Sequence, residues 1–299
     1  MNLITRLTEH FASHVHTPHT QQLFMRGSYF FLLLNALYFF PIRDLMWGEY
    51  AMIMPWNPGT SPDLNLAYFL DHRRSWAIGG YFLYLVCLLV VQIRLRWIVL
   101  RILVFVLGLM LYYACIPAFN AAMLLFNLFA FFMLFMAPQA AQPVQRMLGN
   151  FAFLACKIQV VMVYALAGGY KLTGHTWLQG SSVFYALQLD HYTTTWMADF
   201  LLDQRALLLA FNYFGLVYQI GFPIAVFVRR IRGVWLILGC VFHASIAIGM
   251  QLPDFGIGMM VAYLLFVSET RSARWLAHAV TILPLGRKQK NGLVKTARE

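Results

Sequence analysis

Polar groups inside apolar stretches are expensive to bury and mark candidate sites. One apolar run, from about residue 151 to 170, carries Lys157, Gln159 and Tyr164, with Lys171 just past its end. Positions 157, 161, 164, 168 and 171 fall near one helical stripe that reads Lys, Val, Tyr, Gly, Lys. The two lysines are 14 residues apart, about 21 Å along a helix, so they cannot serve one small site. Snorkelling toward headgroups is the plain role for either lysine. The chemical role is that of a base: an amine partly removed from water is easier to keep neutral, and so able to take a proton. Lys171 suits that role better, because a Trp-bearing segment with Trp177 follows it. Gly168 and Gly169 leave room beside the stripe for a neighbouring helix or a ligand.

A second set lies further on. His243 sits in the middle of WLILGCVFHASIAIGM, where an imidazole needs a partner and makes a good proton carrier. The run before it holds Asn212, Tyr218 and Gln219. Asn120 and Asn127 fall in an earlier run, where amides also serve as interhelical glue. Near the N-terminus, His10 and His14 have the i, i+4 spacing of metal ligands, with His16 and His19 close by. No carboxylate completes that set, so a solvated interfacial face is expected and no metal. Cys87, Cys115, Cys156 and Cys240 form no CxxC pair and read as small buried residues.

The elements that hold these residues follow from composition. Of 299 residues, 61% are hydrophobic and only 11% charged, against about 25% charged in ordinary soluble domains. A soluble globular enzyme and a disordered chain are both excluded. Eight apolar runs are expected to span a membrane, at roughly 27–42, 75–93, 97–116, 118–136, 151–170, 206–228, 233–250 and 255–268. A further short helix over 275–285 would make nine; a re-entrant first or last run would make seven.

The net charge of +11 reports topology rather than nucleic-acid binding. With the N-terminus inside, 15 of the 22 basic residues fall on the inner side, including Arg26, Arg94, Arg96 and the basic tail. Lys171 is one of the few on the outer side, and most acids lie there with it. The expected architecture is an all-α polytopic transmembrane bundle, N-in and C-in. The first 24 residues form an amphipathic interfacial segment, 25–285 the transmembrane domain and 286–299 a basic cytoplasmic tail. The first 20 residues lack the apolar core of a signal peptide. Two outer loops, about 43–74 and 171–205, are long enough to carry function.

The stretch QVVMVYALAGGYKLTGHTWLQG, 159–180, resembles the vitamin K-dependent γ-glutamyl carboxylase family and its bacterial relatives, the horizontally transferred transmembrane (HTTM) family. The matching positions are Gln159, Tyr164, Ala167, Gly168, Lys171, Leu172, Trp177 and Gly180. FHASIAIGM, 242–250, is similar to the family's Phe-His segment, and Gln219 stands 24 positions before that histidine, where the family places a polar or acidic residue. Asn120 lies nearest to the family's other functional histidine. The resemblance implies that Lys171 is the base that deprotonates a hydroquinone, which then reacts with O2. The strong base so formed removes a glutamate γ-proton, and the carbanion adds CO2. It implies a catalytic His243, substrate or cofactor contacts from Gln159, Tyr164, Gly168, Trp177, Gln219 and Asn120, and reduced vitamin K or menaquinone as cofactor. It further implies a bacterial inner-membrane location, with membrane lipids, a quinone and a protein substrate or partner as associates. The family's large C-terminal region has no counterpart here, so recognition of a propeptide-bearing substrate is not expected. Two other readings stay open. One is a quinone-binding DoxX-like subunit serving a redox partner, since such subunits share the short Gly-x-x-Lys step. The other is a non-enzymatic scaffold or lipid-binding bundle.

Overall fold

A computed structural model describes residues 3–47, 74–115, 120–189 and 192–282. All regular structure among the described residues is helical. The helices are α1 (Leu3–Ser13), α2 (Pro18–Phe39), α3 (Arg43–Trp47), α4 (Arg74–Ile93), α5 (Ile98–Ala114), α6 (Ala121–Met133), α7 (Pro143–Thr173), α8 (His175–Leu178), α9 (Ser182–Leu187), α10 (Thr195–Leu201), α11 (Arg205–Ala225), α12 (Arg232–Gly249), α13 (Pro253–Ala262) and α14 (Glu269–Ile282). Short 3-10 turns extend α2 over Phe40–Ile42 and α13 over Tyr263–Phe266.

Five helical segments are long and apolar enough to cross a membrane: Pro18–Trp47, Trp76–Ile93, Pro143–Thr173, Arg205–Ala225 and Arg232–Gly249. The other apolar runs, now Ile98–Ala114, Ala121–Met133 and Pro253–Phe266, form shorter helices. Two of the long segments begin well before their apolar runs. Thr20, Arg146 and Asn150 interrupt the hydropathy but not the helix, because other parts of the chain bond their polar atoms: Glu269 takes Thr20, the carbonyls of Ser13, Ala140 and Ala141 take Arg146, and the N-terminal corner takes Asn150. The tail beyond residue 282, and with it the expected basic segment 286–299, lies outside the described residues, as does most of the first outer loop.

The chain divides into two compact units, 1–153 with 267–299, and 154–266. In the first, α2 packs on α4, α6 and α14. Its core is aromatic: Phe31 meets Phe126 at 4.3 Å between ring centroids and Trp47 stacks on Tyr81 at 4.7 Å. The two hydrogen-bonding rings are satisfied, with the Trp47 indole donating to the Leu111 carbonyl and Tyr81 to the Ala36 carbonyl. Phe30, Leu34, Leu37 and Tyr38 lie exposed on α2, as expected of a surface that faces lipid rather than water.

One buried amide fixes the N-terminal corner. Asn150 of α7 donates to the carbonyls of Phe11 and His14, both at 2.9 Å, and accepts from the His16 amide and the Gln21 side chain. Its two donors and two lone pairs are all used. Above it, the rings of His10 and His16 stack at 4.5 Å, with His14 edge-on to His16. Among the described residues no group of three or more His, Cys, Asp or Glu side chains could hold a metal. The four cysteines are free thiols.

Candidate functional site

The second unit brings four side chains from four elements into one buried chain. Tyr164 of α7 bonds through its hydroxyl to His243 Nε2 of α12 at 2.6 Å and to the Tyr263 hydroxyl at 2.6 Å. The Tyr263 hydroxyl bonds in turn to that of Tyr218 on α11 at 2.8 Å. Tyr164 and His243 are each 2% exposed.

Small residues and stacked rings make the chain fit. A Cβ at Gly239, one turn before His243 on α12, would collide with the Tyr218 and Tyr263 hydroxyls. Gly256 likewise lets α13 lie against the His243 carbonyl. Phe222 stacks on Tyr164 at 3.9 Å, and Trp235 stacks on Tyr218 at 5.7 Å while donating to its backbone carbonyl.

Each hydroxyl in such a chain donates one proton and accepts another. The bonds can run from Tyr218 toward Nε2 of His243, or in reverse with an Nε2–H donating to Tyr164. A proton passed along the chain toward Nε2 must be replaced by one entering at the Tyr218 hydroxyl and balanced by one leaving from Nδ1; only then does the apolar core end without charge. His243 Nδ1 is buried with no partner among the described residues, so it is the open end.

Lys171 lies apart from this chain, seven residues after Tyr164 on α7 and so about 10 Å further along the helix. Its Nζ sits over the Trp177 ring at 4.7 Å from the centroid, a contact made by the charged ammonium. The short helix α8 that carries Trp177 is tied to α11: Asn212 Nδ2 donates to the Trp177 carbonyl at 2.9 Å and the Tyr213 hydroxyl to the Leu178 carbonyl at 3.0 Å. Gly180 ends this segment at φ 79, a left-handed conformation that favours glycine. Trp177 and Phe242 both approach Gly215, so the Trp177 ring reaches toward the residue preceding His243.

The other expected residues take different places. The space beside Gly168 is filled by Ile220 of α11, whose backbone nitrogen lies 3.1 Å from where a Cβ would stand. That glycine therefore admits a helix at close range. Gln219 is buried with Oε1 lacking a partner among the described residues, and Asn212 Oδ1 is in the same position. The two unpartnered amide oxygens lie seven residues apart on α11, two turns along the helix. Gln159 is only partly buried. Asn120 belongs to the first unit, where its side chain caps α6 by accepting from the Ala122 amide at 2.9 Å.

Sequence reading paired neither Tyr164 with His243 nor either with Tyr263. Tyr263 lies in GMMVAYLLF, where a tyrosine reads as an ordinary apolar-compatible ring. Its one signal was a hydroxyl in a membrane-depth run. No protein-family profile, characterised protein or solved structure matches this chain.

Proposed function

We propose that this protein is a multi-pass integral membrane protein that handles protons for a lipid-soluble quinol, in the manner of the vitamin K-dependent carboxylase and HTTM family it resembles. In this reading all eight apolar helices cross the bilayer, both termini are cytoplasmic, and the site opens toward the opposite face. The basic-inside distribution of charge supports that orientation.

The observation that carries the reading is the buried Tyr218–Tyr263–Tyr164–His243 chain beside the segment that holds Lys171 and Trp177. Buried polar networks at membrane depth are rare and functional by default. A reduced quinone, when bound, supplies acidic hydroxyls and reducing electrons. Its two hydroxyl donors suit the unpartnered acceptors on Asn212 and Gln219. Lys171 serves as the base. The Trp177 ring, its centroid 4.7 Å from Nζ, is placed to hold the ammonium that forms. The tyrosine chain and His243 carry the proton through the core.

The test is turnover by purified protein in nanodiscs with reduced menaquinone or reduced vitamin K and O2, with and without CO2 and a glutamyl peptide. Epoxide formation is expected, lost in Lys171→Ala and strongly reduced in His243→Phe. Full epoxide yield from a folded Lys171→Ala protein removes the lysine from the role.

A further inference from the structure

A separate feature of the first unit is a cavity of about 790 Å³ between α2, the α4–α5 turn and the segment after α6. That size lies within the range of sites for small ligands, about 300–1,000 Å³. Its lining includes Arg26, Arg94, Arg96 and Arg101. Among the described residues none of these four has a carboxylate within salt-bridge distance. Glu269, which meets the lining residue His19, is already taken up by the His19 ring, the His19 and Thr20 amides and the Thr20 hydroxyl.

Two of the arginines are partly or wholly withdrawn from solvent. Arg101 is 7% exposed. One of its nitrogens donates to the Met133 and Met136 carbonyls at 2.8 Å each, at the end of α6, while its Nε has no partner. Arg26 is half-buried and gives one 3.3 Å bond to the Gln92 carbonyl. Arg94 and Arg96 stand exposed at the mouth, with Arg94 over the Trp97 ring. Sheltered cations without counter-ions are disfavoured. Four planar guanidiniums around one cavity form a receptor for phosphate oxygens.

We infer that this cavity binds a phosphate-bearing anion, the headgroup of an acidic phospholipid. Exposed Ile93 and Trp97 line the cavity, the mixture of apolar and indole side chains found at membrane interfaces. Acyl chains can lie on these residues while the phosphate enters among the arginines. In the proposed orientation the cavity faces the leaflet whose anionic lipids attract basic groups. The inference does not rest on the quinol reading, which concerns the other unit.

Its test is lipid binding by native mass spectrometry and thermal shift. The purified full chain is titrated with phosphatidylglycerol, with phosphatidylcholine, and with inorganic phosphate or pyrophosphate. Saturable binding of phosphatidylglycerol over phosphatidylcholine is expected. Arg94→Gln with Arg96→Gln, both exposed and neutral to folding, should weaken it roughly fivefold per charge, equivalent to about 1 kcal/mol each. Adding Arg26→Gln should weaken it further. Arg271→Gln with Arg274→Gln, exposed on α14, is the control for bulk charge and should leave it unchanged. Phosphate or pyrophosphate binding that the same arginine variants abolish, without lipid preference, upholds the anion site and assigns it a soluble ligand. Equal binding of both lipids with no phosphate binding, or equal losses in the control variant, overturns the inference.

Discussion

Replacing Tyr164 by Phe removes one oxygen and leaves the ring that stacks on Phe222 at 3.9 Å. The substitution strips His243 Nε2 of its 2.6 Å partner and takes one of two partners from the Tyr263 hydroxyl. His243 Nδ1 is already unpartnered, so the whole imidazole is then left unsatisfied in the core. A buried polar group deprived of its partner costs about 1–3 kcal/mol in proteins generally. Side-chain hydrogen bonds between membrane helices have averaged only about 0.6 kcal/mol, with a maximum near 1.7. The short distance and near-complete burial place this pair toward the upper end. Tyr164→Phe should therefore destabilise the second unit by about 2 kcal/mol, and the coupling to His243→Leu in a double-mutant cycle should be about 1–1.7 kcal/mol. The assay is reversible unfolding in mixed micelles, followed by fluorescence of Trp235, which stacks on Tyr218. Additivity of the two substitutions within about 0.5 kcal/mol would refute a direct bond between hydroxyl and imidazole.

Other consequences can be checked alongside. Asn150→Leu abolishes four hydrogen bonds to the N-terminal corner, and should speed exchange of the His16 amide at least about 30-fold, or 2 kcal/mol, by hydrogen-exchange mass spectrometry. Burial, with lesser repulsion from His14 and His10, holds His16 below the ordinary histidine range despite its bond to the His10 carbonyl. The unfolded segment therefore binds more protons than the docked one as pH falls through about 6.5. Docking of α1 should weaken on acidification, seen as faster exchange at pH 5.5 than at pH 7.5 after correction for intrinsic rates, and a His16→Asn protein should lose that dependence. Gly239→Ala places a methyl against the Tyr218 and Tyr263 hydroxyls and should destabilise by about 1–3 kcal/mol, whereas Gly233→Ala, with open space around it, should be neutral or slightly stabilising. Unfolding midpoints compare the two.

The helices were legible because hydropathy runs are local. Their starts were not. Pro18 and Pro143 open helices that continue through Thr20 and Asn150, and those residues are tolerated only because Glu269 and the N-terminal corner meet them from far along the chain. The polar residues that matter were legible as types: Tyr164 and His243 stood out against apolar surroundings. Their pairing was not, because it depends on how elements far apart in sequence pack: Gly239 leaves room for the Tyr218 and Tyr263 hydroxyls against α12, and Gly256 lets α13 lie on the His243 turn. Gly168 was readable as an open place, but only the fold identifies Ile220 as what fills it. Asn120 stands immediately before α6 and its side chain caps that helix, a local role that its place at the start of an apolar run did not reveal.

The central claim is that the second unit serves a lipid-soluble quinol through Lys171 and the buried tyrosine–histidine chain. The most direct measurement is the quinone content of protein purified from a menaquinone-containing membrane, extracted and quantified per chain, for the native sequence and for Asn212→Leu with Gln219→Leu. The account predicts bound quinone in a fixed ratio to the native chain and its loss from the folded double variant. A native protein carrying no more quinone than the surrounding lipid would contradict it.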